Sequence, residues 1–142
     1  MSSVLGIDVG SVRVGIAGSD PTGMIASPLE TLPRRDTRLL WSRIAELAAE
    51  RECALAVVGL PRRLDGSEGA AAADARTFAG ELEARTGLTT EMWDERFTTV
   101  AAERSMIEQG VRRRRRRESI DSVAASLMLQ GWLEAQRNRA RR

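Results

Sequence analysis

The order of elements in this sequence predicts an α/β fold, one mixed five-stranded sheet with helices on both faces. Three observations carry it. Two short β-branched segments, residues 4–9 and 12–17, are joined by Gly10 and Ser11, the signature of a hairpin. The run 54–60 (ALAVVGL) is uninterrupted and apolar, follows a helical pattern and stops at Pro61, as a buried parallel strand does. A chain of 142 residues is long enough for one domain with a real core and too short for two ordinary ones.

Turn signals at Pro21 and Gly23 place a third strand around Ile25–Leu32. Asp36 then caps a helix whose apolar positions Leu40, Ile44, Leu47 and Ala48 recur at helical spacing, ending near Glu52. After the strand 54–60, Gly66 to Gly69 form a turn, and Ser67 is placed to cap a helix over about 70–86 that contains Phe78 and Leu82 and stops at Gly87. Thr89–Glu95 has strand composition, and Thr98 or Thr99 starts a short helix that runs to about Gln109 and closes at Gly110. Ser119 caps the last helix, with Ile120, Val123, Ala124, Leu127 and then Leu129 or Gly131 toward one side. Three hairpin-connected strands followed by two strands with helical crossovers give, under the right-handed crossover rule, the ribonuclease H-like fold. Residues 1–136 form this single domain and 137–142 a basic tail.

The net charge of +2 hides two unlike segments. Residues 1–111 carry 12 arginines against 17 acids, and residues 112–142 carry 10 arginines against 3. A basic segment on a mildly acidic body points to a polyanionic partner, nucleic acid; a solvated tail is the plainer alternative. With one cysteine, Cys53, no intrachain disulfide forms, no apolar run approaches a membrane span, and the start reads as no secretory signal, so a cytoplasmic protein is expected. The chain has no histidine, which excludes general-base chemistry by imidazole.

Four carboxylates stand out. Asp8 interrupts an apolar strand, where an unpaired charge costs several kcal/mol, so it lies at the strand's edge or meets a cation. Asp94 and Glu95 end the last strand, and Asp121 falls in the expected first turn of the last helix. With the first strand central, these groups converge on one cleft, and such an all-oxygen set suits one or two Mg²⁺ or Mn²⁺ ions. Taken singly, Asp121 is explained by the helix dipole and Asp94–Glu95–Arg96 by a surface ion-pair cluster. Gly10, Ser11, Gly15 and Gly18 also match the phosphate hairpin of sugar kinases and actin-like ATPases. Those proteins close two lobes around ATP and need a chain more than twice as long, which argues against ATP.

The segments 6–32 (GIDVGSVRVGIAGSDPTGMIASPLETL), 57–69 (VVGLPRRLDGSEG), 93–103 (WDERFTTVAAE) and 120–134 (IDSVAASLMLQGWLE) together resemble the YqgF/RuvX family of ribonuclease H-like nucleases. Four motifs in order make the resemblance specific. It implies a divalent-metal-dependent endonuclease of the Holliday-junction-resolvase type of fold, assigned to maturation of the 5′ end of pre-16S ribosomal RNA. The family's acidic residues map onto Asp8, Glu95 and Asp121, as catalytic and Mg²⁺- or Mn²⁺-binding groups. Asp94 also matches the triplet; strand alternation lets only one neighbour face the metal, and the resemblance favours Glu95. At the C-terminal end of the central strand, the N–H groups of Gly66 through Gly69, Ser67 included, are placed to hold a phosphate flanked by Arg62 and Arg63. Arg112, Arg113, Arg114, Arg115, Arg116 and Arg117 are expected as a basic loop contacting phosphates beside the cut. The expected partner is a structured rRNA precursor, with or without the ribosomal particle, and the protein a monomer or homodimer. A resolvase of four-way DNA junctions, which requires a dimer, is the first alternative. A non-catalytic rRNA-binding assembly factor is the second.

Overall fold

A computed structural model describes residues 2–97 and 113–141, with the backbone alone described over 113–120. The strands are β1 (Leu5–Val9), β2 (Arg13–Ser19), β3 (Ala26–Pro33), β4 (Leu55–Leu60) and β5 (Thr89–Asp94). The helices are α1 (Thr37–Glu50), α2 (Ala70–Thr86) and α3 (Arg113–Ala140), and a 3-10 turn, Glu95–Phe97, follows β5. The sheet order is β3-β2-β1-β4-β5, so β1 is central. β1 runs antiparallel to β2 and parallel to β4, and β5 joins parallel to β4.

Alternation along the strands separates two cores. On one face Leu5, Ile7, Val14, Ile16 and Val58 meet Leu40, Ile44 and Leu47 of α1 and Phe78 and Leu82 of α2. On the other, Val4, Ala17 and Val57 meet Ala125, Leu129, Trp132 and Leu133 of α3. Asp36 caps α1 as expected, its side chain accepting from the Leu39 amide. Gly87 ends α2, its amide donating to the Glu83 carbonyl.

Four local expectations are corrected. The cap of α2 is Gly69, without a side-chain hydrogen bond, because the Ser67 hydroxyl is turned to the Asp65 carboxylate. Glu95 lies just past the last strand, in the 3-10 turn. The last helix is already formed at Arg113, not first after Ser119, so Arg113 to Arg117 are helical rather than a loop, and Asp121 has at least two turns of helix before it, away from the dipole's end. The helix also buries a different stripe. Ser122, Ala125, Ser126, Leu129, Trp132 and Leu133 face the sheet, while Val123, Ala124 and Leu127 stay half-buried. The expected helix from Thr98 or Thr99 to Gln109, and Arg112, lie outside the described residues. Residues 137–140 continue α3, and Arg137 donates to the carbonyls of Gly23 and Met24. Among the described residues no helix is long and apolar enough to cross a membrane.

Candidate active site

The C-terminal ends of β1, β4 and β5 lie side by side, which is where ligands bind in open α/β sheets. Asp8 projects from β1 toward α3, opposite Gly15 in the antiparallel register. Glu95 reaches back from the turn after β5 and covers Gly59 of β4: a Cβ on Gly59 would stand 2.5 Å from Glu95 Oε1. A side chain at Gly59 would displace the carboxylate from this position. From there Glu95 hydrogen-bonds Asp8. Asp121, on α3, lies close enough for its charge to act on Asp8.

Burial pushes Glu95 up from an ordinary value of 4.5 to about 7, and the hydrogen bond to Asp8 and the charges of Asp8 and Asp94 act in the same direction. Burial also raises Asp8; the hydrogen bond from Glu95 offsets part of this and the Asp121 charge adds to it. Stability of the cation-free protein follows from the sign of the shift. Below pH 4.5 Glu95 is protonated folded or unfolded; as pH rises through 7, the folded state must ionise a carboxyl that the unfolded chain ionised earlier, and stability is lost. Glu95→Gln is expected to remove this loss, raising stability at pH 8 by about 1–2 kcal/mol once solvent screening is allowed for. Urea unfolding in a chelator at pH 5 and pH 8 measures it, and equal pH dependence in both proteins would contradict it.

Asp94 points to the opposite side. Its carboxylate accepts from Arg96 at 2.7 Å and lies 3.9 Å from Arg62 Nε, and the Arg96 guanidinium holds its pKa low. It is Glu95, not Asp94, that meets Asp8. Asp121 is only partly gathered in: its Oδ2 accepts from Arg13 Nε at 2.8 Å. Among the described residues no three acidic, histidine or cysteine side chains enclose an ion position, which departs from the expected convergence of three carboxylates. The meeting of two half-buried carboxylates nevertheless fits a hard divalent cation, because the pair lacks a positive partner and offers only oxygen.

The loop after β4 is largely self-satisfied. The Gly66 amide donates to the Arg63 carbonyl and the Ser67 amide to Asp65 Oδ1, so these two N–H groups do not face a phosphate. Arg62 pairs with Glu68 at 3.5 Å, whereas Arg63 is exposed and reaches the Ser67 hydroxyl. On the rim, Leu64 is 97% exposed and Phe97 59%, the latter edge-on to Trp93. Arg34 fixes the hairpin beside Asp8, donating to the Gly10 carbonyl at 2.9 Å and to both oxygens of Asp74.

Residues that the sequence reading passed over are Arg13 and Gly59. The signal for Arg13 was present: with Val14 and Ile16 turned to one core, Arg13 and Gly15 must share the face of Asp8. Gly59 carried no signal, since it sits in an apolar run like any small core residue.

Residues 2–135 match the RuvX family, described as Holliday junction resolvase. The chain belongs to the RuvX family. A Myxococcus xanthus relative is 45% identical over 133 residues, covering 94% of this chain and 88% of its own. A Mycobacteroides abscessus relative is 48% identical over 137 residues, covering 94% and 81%. Both carry the provisional name pre-16S rRNA nuclease. The RuvC of T. thermophilus, solved in complex with a Holliday junction substrate, superposes with a TM-score of 0.62 over 96% of this chain and 97% of its own, at 14% identity. That likeness establishes the ribonuclease H-like fold for this RuvX chain.

Proposed function

We propose that this RuvX chain is an endonuclease that hydrolyses phosphodiester bonds of a precursor of 16S ribosomal RNA. The observation that carries the reading is the half-buried, hydrogen-bonded Asp8–Glu95 pair at the C-terminal ends of the central strands. Asp8, Glu95 and Asp121 would hold Mg²⁺ or Mn²⁺, one or two ions. When bound, the cation supplies Lewis acidity and lowers the pKa of water. Beside a bound cation Glu95 would act as an ionised carboxylate ligand, since opposite charge returns a carboxyl toward its ordinary range.

The protein's own groups do the rest. Gly59 leaves the space in which Glu95 stays against Asp8. Arg63, beside the cleft, and the arginines 112–117 supply phosphate contacts that position the strand without reading its sequence. Phe97 offers an exposed aromatic face on which an unpaired base stacks, which suits a structured RNA with single-stranded segments. The relatives at 45–48% identity, with their rRNA nuclease names, favour RNA. The family's description as resolvases supports the second reading, a four-way DNA junction.

Purified protein with Mn²⁺ is expected to cleave a labelled 16S precursor carrying its 5′ leader, and to cut a four-way DNA junction more slowly. Faster cleavage of the junction would select the second reading. Binding of the precursor without cleavage under either metal would overturn the nuclease and leave an rRNA-binding assembly factor.

A further inference from the structure

Arg13 opens β2, and its alternation with Val14 turns it to the face that carries Asp8, Gly15 and Asp121. Its guanidinium donates to Asp121 Oδ2 at 2.8 Å, with the Arg13 side chain 53% exposed and that of Asp121 23%. No other acid pairs with Arg13 among the described residues. Asp121 is thus the one carboxylate of the three whose charge is already balanced, and it is the one missing from the Asp8–Glu95 contact.

We infer that Arg13 is a resident counter-ion for Asp121: it neutralises that carboxylate while the cation is absent, and yields it when the cation arrives, becoming free to bind a substrate phosphate. The inference rests on the nuclease reading above. Three physical points support it. A half-exposed ion pair is worth little, so the exchange is easily reversed. A fixed positive charge at a carboxylate opposes a divalent cation at the same oxygens. The register anchors Arg13 two residues from Gly15, which lies against the backbone of Asp121, so the displaced guanidinium stays at the mouth of the cleft. A fork of N–H donors released there matches phosphate geometry. Arg13 is on this account a positioning residue toward the cation and a binding residue toward the nucleic acid.

The two roles have opposite signs, which a merely structural tether does not produce. In Arg13→Gln, Mn²⁺ binding followed by calorimetry on the full chain is expected to tighten by about two- to fivefold. Affinity for a labelled RNA hairpin with a single-stranded 5′ extension, measured in Ca²⁺, is expected to fall, with the salt slope shallower by about one. Arg13→Lys, which keeps the charge but not the fork, is expected to bind Mn²⁺ as the wild type does and to bind RNA less tightly than it. If the wild type binds Mn²⁺ and Arg13→Gln binds it no tighter, the counter-ion role is overturned and the nuclease reading stands. If the wild type binds no Mn²⁺, the nuclease reading falls and this inference with it.

Discussion

Asp8→Asn is expected to lower the rate of precursor cleavage by about 10³-fold or more while leaving RNA affinity intact or slightly improved. The substitution is nearly isosteric and removes a single charge. Because burial and Asp121 both oppose ionisation of Asp8, the cation-free protein is also expected to gain stability at pH 8. Glu95 loses the charged neighbour that raises it, and its pKa should drop toward the ordinary range. Three readouts therefore move together: activity down, stability up, binding held. A group needed only for folding gives the opposite stability change, and a group needed only for binding the substrate shifts affinity. Retention of more than about a tenth of the wild-type rate would remove Asp8 from the proposed chemistry.

The same two carboxylates show how far the sequence could be read. Asp8 is conspicuous because a charge between Ile7 and Val9 contradicts its own strand, and that conflict is local. The strand order was legible for the same reason: hairpin spacing and one apolar run are short-range signals. Alternation separates Asp94 from Glu95, and only the family resemblance favours Glu95; in the structure Trp93 packs on the α3 side and Asp94 lies beside Arg62 and Arg96. Glu95 meets Asp8 from the 3-10 turn, past the end of the strand.

The last helix was misread for two physical reasons. Arginine is a good helix former, so a run of six gives no stop signal, and Ser119 resembles a start only if that run is a loop. Its buried stripe was misplaced because hydrophobicity was taken as the guide. Where a helix lies against glycine-bearing strands, the contact selects small side chains. A Cβ on Gly6 would stand 2.8 Å from the Leu129 Cβ and 3.2 Å from the Ala125 carbonyl oxygen, and Ser122, Ala125 and Ser126 fill the line where Val123 and Leu127 would be too large. Such a complementarity lies between two distant segments and leaves no periodic trace in either one.

Gly15→Ala is expected to be the most damaging single-methyl change in the described fold. A Cβ at this position would fall 1.9 Å from the carbonyl oxygen of Asp121, 2.2 Å from its carbonyl carbon and 2.8 Å from the Ser122 amide nitrogen. All three are backbone atoms in a long helix, so no rotamer change relieves the overlap, and α3 must shift off β2. Overpacking of this kind costs about 3 kcal/mol or more, which lowers the melting temperature by about 10 °C. The shift also carries Asp121 away from Asp8 and Arg13, so cleavage is expected to fall even at temperatures where the variant remains folded. Gly80→Ala supplies the control. Gly80 lies in α2 with nothing within 4 Å of its added Cβ, and alanine there is expected to raise stability by up to about 1 kcal/mol through helix propensity. If Gly15→Ala melted like the wild type, the close passage of α3 over β2 would be wrong, and with it the placement of Asp121 beside the paired carboxylates. If it melted low but cleaved at the wild-type rate while folded, the helix would be placed correctly and Asp121 would be dispensable.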